Sequence, residues 1–123
     1  MPPTTSRFSV INSTRGTTLA THADLANNFW TRFVGLMFRR RLDAGGGLYL
    51  ERSASIHAFF MFFRFDAVFL DRDDRVTKVV HAMRPWTIAF GGRGAKHVLE
   101  LPAGVARETG TEPGDELRFG TAA

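Results

Sequence analysis

The chain of 123 residues contains no cysteine, which excludes disulfide staples and thiolate metal sites. Lysine is nearly absent too: two Lys stand beside fourteen Arg, and the net charge is only +4. An Arg-for-Lys bias of this kind can follow from codon composition alone, so it names no partner. Long apolar runs are also missing. The longest, Ala58 to Phe63, is ended by Arg64 and Asp66, far short of the roughly 20 apolar residues that span a bilayer. The start, MPPTTSRFSVINSTRG, has no apolar stretch behind a basic one, so no signal peptide and a cytoplasmic location are expected. No repeat or low-complexity tract occurs.

What is present fits a soluble globule. Hydrophobic residues make up 44% and charged residues 23%, which argues against both a disordered and a fibrous chain. The length suits one domain over residues 1–123. Arg7–Ile11 and Thr17–His22 flank the turn formers of NSTRG and predict an N-terminal hairpin. From Asp24 the period changes, with Leu25, Phe29, Phe33 and Met37 recurring every fourth residue. This spacing predicts one principal helix over about Leu25–Val34, stopped at Gly35 and followed by Arg39, Arg40 and Arg41 at its negative end.

Beyond the glycine loop at residues 43–47, GLYLE reads as a short strand, and DAVFLD and RVTKVVHAM read as a hairpin around RDD. RPWTIAFGGRG reads as a long connection, AKHVLELP as a strand, PAGVARETG as a helical turn and ELRF as a closing strand. The fold class expected is mainly β: a small sandwich or barrel of about six strands with that one helix.

The segment Ser55–Asp71, SIHAFFMFFRFDAVFLD, holds six of the twelve Phe, with His57, Arg64 and Asp66 among them. If it is extended throughout, both faces are aromatic, and it belongs between two layers. Burying six Phe would contribute at most about 9–18 kcal/mol. Leaving those rings in water needs a purpose, such as an aromatic-lined groove with few polar anchors. On the same extended backbone Arg64 and Asp66 share a face. An unpaired carboxylate there would be costly, so Asp66 is expected to be held by backbone N–H groups or another cation, with Arg64 partly exposed.

Chemistry-bearing patterns are sparse. His57, His81, His97, Asp66 and Glu100 could ligate a metal, but no His-x-x-x-His or His-Glu-x-x-His spacing occurs, and neither a metal nor a cofactor is expected. His57 with Asp66 and Ser53 or Ser55 could serve a hydrolase, though no Gly-x-Ser-x-Gly elbow is present. Neither GGG nor GGRG follows the phosphate-cradling pattern. Arg39–Arg41 would neutralise about three phosphates, against the roughly 6–10 of strong nucleic-acid binding, so no specific nucleic-acid partner is expected.

GLMFRRRL (35–42), IHAFFM (56–61), DAVFLDRDDRV (66–76), RPW (84–86), VLELPAG (98–104) and GDELRF (114–119) stand in a fixed order over roughly Leu19–Phe119. This ordered set resembles the prokaryotic domain-of-unknown-function family 192. The resemblance implies a small mainly β sandwich or barrel of jelly-roll-like character with a helix leading into the GLM block, and it implies no activity. It raises Arg39, His57, Met61, Asp66 and Glu100 as motif positions. Members closest in pattern carry Thr at position 58 and Pro-Ile at 64–65, so Arg64 is peculiar to this chain.

The functional expectation is a small soluble binding or interaction module with an aromatic-lined groove for a small molecule or protein partner. Its candidate ligand-binding residues are Arg39, His57, Met61, Arg64, Asp66, Trp86 and Glu100. The alternative is a small hydrolase or metal-dependent enzyme using His57, Asp66 and Glu100.

Overall fold

The computed structural model describes residues 7–26 and 42–121. The strands are β1 (Arg7–Asn12), β2 (Thr17–Ala26), β3 (Gly46–Leu50), β4 (Ser55–His57), β5 (Phe65–Leu70), β6 (Val76–Met83), β7 (Ile88–Phe90), β8 (His97–Pro102) and β9 (Leu117–Thr121). One short helix, α1, covers Val105–Glu108. The mainly β class expected from the sequence is the architecture observed. Leu25 and Ala26, the first residues of the expected helix, close β2 instead, and its remainder lies outside the described residues, as does Arg39.

Seven strands form one sheet in the order β6-β5-β8-β3-β2-β1-β9. All neighbours are antiparallel except β2 and β3, which run parallel. The sheet curls until its two edges meet, through a bridge between Arg75 and Glu116 and a hydrogen bond from Val76 N–H to the Asp115 carbonyl (2.8 Å). The contact is confined to the starts of β6 and β9, so the sheet is a curled half-barrel whose two edge strands do not pair along their length.

Turn chemistry explains the hairpins. At the β1–β2 turn the Asn12 side chain accepts the Arg15 N–H (3.1 Å), and Gly16 takes a left-handed φ of 72°. At the β5–β6 turn one Asp71 oxygen accepts the N–H groups of Asp73 (2.8 Å) and Arg75 (3.0 Å). A buried network adds to the closure: the Asn12 amide donates to Thr111 (3.1 Å) and Asp115 (2.9 Å), and Arg15 donates to Asp115 (3.0 Å). Burial pushes the Asp115 carboxyl up, but the hydrogen bonds from Arg15, Asn12 and the Glu112 N–H outweigh it and hold the group below its usual 3.8.

Strand alternation divides the core in two. Phe8, Val10, Leu19, Tyr49, Val68, Leu70, Leu99, Leu101 and Leu117 fill the face enclosed by the curl. On the other face Leu48, Leu50, Phe65, Ala67, Phe69 and Val98 are covered by Ile56, Ala58, Met61 and Ala89. These last four belong to a flap built on the two-stranded pair β4–β7 and its connections. The expected connection RPWTIAFGGRG therefore contains a strand.

The flap also shows that residues 56–71 are not extended throughout, the case considered above. The Ala58 carbonyl accepts the Met61 N–H (3.3 Å), and Phe60 adopts a φ of 62°, so the chain turns between β4 and β5. Phe65 and Phe69 are fully buried and Phe63 is partly so, whereas Phe59, Phe60 and Phe62 face solvent. The two fully buried rings contribute roughly 3–6 kcal/mol between them, well under the gain expected for six.

Candidate functional site

The solvent side of the flap carries Phe59 (38% exposed), Phe60 (44%), Phe62 (60%), Trp86 (55%), Ile88 (53%) and Phe90 (66%). Single exposed apolar residues need no explanation, but six large ones on one small element do. The rings contact one another. Phe60 lies 4.9 Å from Trp86 between centroids, Phe59 lies 6.3 Å from Trp86, and His57 lies 5.2 Å from Phe59.

Backbone bonds hold this surface in place. Buried Ala58 donates its N–H to the Thr87 carbonyl (2.7 Å) and accepts the Trp86 N–H at its own carbonyl (2.7 Å), locking the 58–61 turn against the 84–87 turn. Phe60 and Trp86 both sit in left-handed backbone, with φ of 62° and 66°. Bulky residues avoid that region at a cost on the order of 1–3 kcal/mol each, and such strain collects at binding sites. His57 Nδ1 accepts the Phe59 N–H (3.1 Å), which leaves the ring hydrogen on Nε2 when the imidazole is neutral.

The other sequence candidates part company. Met61 is buried on the sheet-facing side of the flap and Arg64 is exposed. Asp66 is buried on the enclosed face, where Oδ1 accepts the Ala82 N–H (2.8 Å) and Oδ2 accepts those of Gly104 (3.1 Å) and Ala106 (2.9 Å). Each donor has a reason to need it. Ala82 belongs to a bulge in β6 opposite Asp66, where the register passes from Phe65↔Met83 to Ala67↔Val80. Gly104 and Ala106 open α1, whose first amides have no partner within the helix. Asp66 therefore ties the bulge to the helical turn.

Glu100 is also buried, but on the opposite face. It pairs across the sheet with Leu48 and Ala67, whereas Asp66 pairs with Leu101. Asp66 and Glu100 do not converge, and among the described residues no group of three His, Asp or Glu could hold a metal ion. Among the same residues no helix is long and apolar enough to cross a membrane.

Of the six exposed residues of the flap only Trp86 is among the sequence candidates; Phe59, Phe60, Phe62, Ile88 and Phe90 are not. Alternation of Ile88 and Phe90 about buried Ala89 is the sequence signal for this strand, masked by the turn-forming residues on either side of it.

His97 shows how burial tunes one side chain. Its ring stacks on Tyr49 at 5.5 Å, and its Nδ1 accepts the Arg52 N–H (3.1 Å). Burial pushes its pKa below the usual 6.5, despite the opposing pull of Asp74 and Glu51. A histidine with a lowered folded pKa contributes its full stability above the unfolded value. That stability is lost as pH falls from 6.5 toward the folded value, because the unfolded chain takes up the proton first. Urea midpoints are thus expected to fall between about pH 7.5 and pH 5.5, and His97→Gln should flatten that part of the profile.

The profile of the DUF192 family, described as Uncharacterized ACR, matches residues 10–119. The chain belongs to this family. A UPF0127 protein of Thermococcus sibiricus is 35% identical over 112 residues, covering 88% of this chain and 72% of that one. The UPF0127 protein of Pyrococcus furiosus is 34% identical over 113 residues, covering 89% and 97%. A crystal structure from Sinorhizobium meliloti 1021, described as a proposed transcription regulator, superposes with a TM-score of 0.79 at 26% identity, covering 92% of each chain. DUF192 membership agrees with the ordered blocks seen in the sequence, and the match begins nine residues before Leu19, the start expected for it.

Proposed function

We propose that this DUF192 chain is a binding module that receives an apolar segment of a protein partner on the flap, against Phe59, Phe60, Phe62, Trp86, Ile88 and Phe90. The observation that carries this is the pair of strained, exposed aromatics, Phe60 and Trp86, clamped to each other's turns through Ala58. Strain at an exposed ring has no packing benefit to offset it, so presentation of the ring supplies a reason for it. Tryptophan and phenylalanine are enriched at the anchored centres of protein interfaces, where burying such rings contributes most.

The test is a peptide-display selection on the wild-type protein, counter-selected on Trp86→Gly. Glycine tolerates φ of 66°, so the variant should fold at least as well as the parent while losing the largest ring. Peptides with apolar or aromatic anchors are expected to survive, with binding weakened at least tenfold by the substitution. Peptides that bind both proteins equally would refute the proposal.

The description of the Sinorhizobium meliloti relative makes duplex DNA worth one direct measurement. With a net charge of +4, any mobility shift at low salt should disappear by about 150 mM salt. Sequence-specific retention at that salt would replace the protein-partner assignment with a DNA one.

A further inference from the structure

A second site, unrelated to the aromatic surface, lies where three distant segments meet. A cleft of about 460 Å³ is lined by Arg52, Ala54, Arg72, Ala95, Lys96 and His97. Arg52 and Ala54 come from the β3–β4 connection, Arg72 from the β5–β6 turn, and Ala95 to His97 from the approach to β8. Among the described residues the lining carries two Arg and one Lys and no Asp or Glu.

The cationic lining is held in place. Arg52 adopts a φ of 60° while its N–H donates to Nδ1 of buried His97 (3.1 Å), and the Lys96 N–H donates to the Leu70 carbonyl (2.7 Å). Because Nδ1 accepts, the neutral imidazole in the lining carries its hydrogen on Nε2 as a further donor. Among the described residues neither Arg52 nor Lys96 has an ion-pair partner. Arg72 is matched only by Asp73, at 4.0 Å, with both side chains more than 70% exposed. A pair so exposed holds its guanidinium weakly.

We propose that this cleft binds the phosphate dianion of a small phosphate ester. Two planar forks and an ammonium supply donors for all three terminal oxygens, and such charge-assisted bonds are the strong ones. The volume lies within the range of small-molecule sites and exceeds what a bare phosphate ion fills, so the organic part of the ester also has room.

Amide chemical shifts report the site directly. Inorganic phosphate and glycerol phosphate, added at fixed ionic strength and pH 7.5, are expected to shift the amides of Arg52, Ala54, Ala95, Lys96 and His97 saturably, whereas sodium chloride should not. Arg72→Gln and Lys96→Gln replace exposed side chains and should fold normally. Each should raise Kd about threefold to tenfold, and the double variant should show no saturation. Trp86→Gly should bind phosphate like the parent. A phosphoserine peptide and a 5′-phosphorylated oligonucleotide separate the sources of the dianion. Binding by either polymer without binding by glycerol phosphate would overturn the small-ester assignment. Shifts reproduced by chloride, or unchanged Kd in both single variants, would overturn the site itself.

Discussion

Replacing Asp66 with Ala is expected to lower the unfolding free energy by about 3–5 kcal/mol, whereas Arg64→Ala should change it by roughly 0.5 kcal/mol or less. The contrast follows from burial. Asp66 is fully buried and accepts three backbone N–H groups from two separate segments, so its removal strands all three donors. Each buried unsatisfied donor costs about 1–3 kcal/mol, less whatever water recovers. Gly104 adds to the demand, since its φ of 99° places the N–H toward a carboxylate in a conformation other residues avoid.

Asp66→Asn should fall between the two, because an amide keeps one acceptor oxygen but turns an N–H₂ toward another donor. Arg64 is exposed and has no ion-pair partner among the described residues. Urea denaturation of the two single variants and the double variant decides the matter: a coupling above about 1 kcal/mol would make Arg64 the counter-ion of Asp66 and contradict this account.

The second large effect concerns the seam between the flap and the sheet. A Cβ built on Gly91 would stand 2.4 Å from Phe69 Cδ1 and 2.6 Å from Ala95 Cβ, both impossible contacts. Gly91→Ala must therefore displace the Phe69 ring or the loop, at about 1–3 kcal/mol. Phe69→Ala removes a fully buried ring at about 3–5 kcal/mol. In the double variant the new methyl occupies part of the space the ring has left, so the combined loss should be smaller than the sum of the single losses. Strict additivity in calorimetry or urea melts would show that the two do not share one packed contact.

The consequence reaches function. Gly91 follows β7 directly and donates its N–H to the Ala54 carbonyl (2.8 Å), just before β4. A shift at Gly91 thus moves the base of the aromatic flap, and Gly91→Ala is expected to weaken the peptide binding we propose for the flap although it touches no exposed ring.

Much of this molecule was legible from residues alone, because its determinants are local. The hairpin turns rest on Asn12, Gly16 and Asp71, each of which bonds or bends within four residues of itself. The strands from Val98 and Phe65 show in their β-branched and aromatic content. DUF192 kinship showed in the order of short blocks along the chain. The Asp66 anchor was legible in kind, since a buried carboxylate must find donors, although the bulge at Ala82 and the turn at Gly104 that supply them were not.

Other features required the folded chain. Nothing in IHAFFM marks the turn at Ala58–Met61, because the left-handed residue there is Phe60 rather than Gly, and the bonds that tie it to the rest of the fold run from Ala58 to the distant Trp86–Thr87 backbone. The pairing of β4 with β7, the meeting of Arg75 with Glu116, and the joining of Arg52, Arg72 and Lys96 in one cleft all link residues at least 20 positions apart. The sequence by itself determined the strand-rich class, the turns and the family, since propensity and turn chemistry act over a few residues. The tertiary structure alone decided which aromatics are buried and which are displayed, and which cations meet. Those outcomes depend on loop closure and face selection in the curled sheet, whose free energies are set by contacts between distant segments.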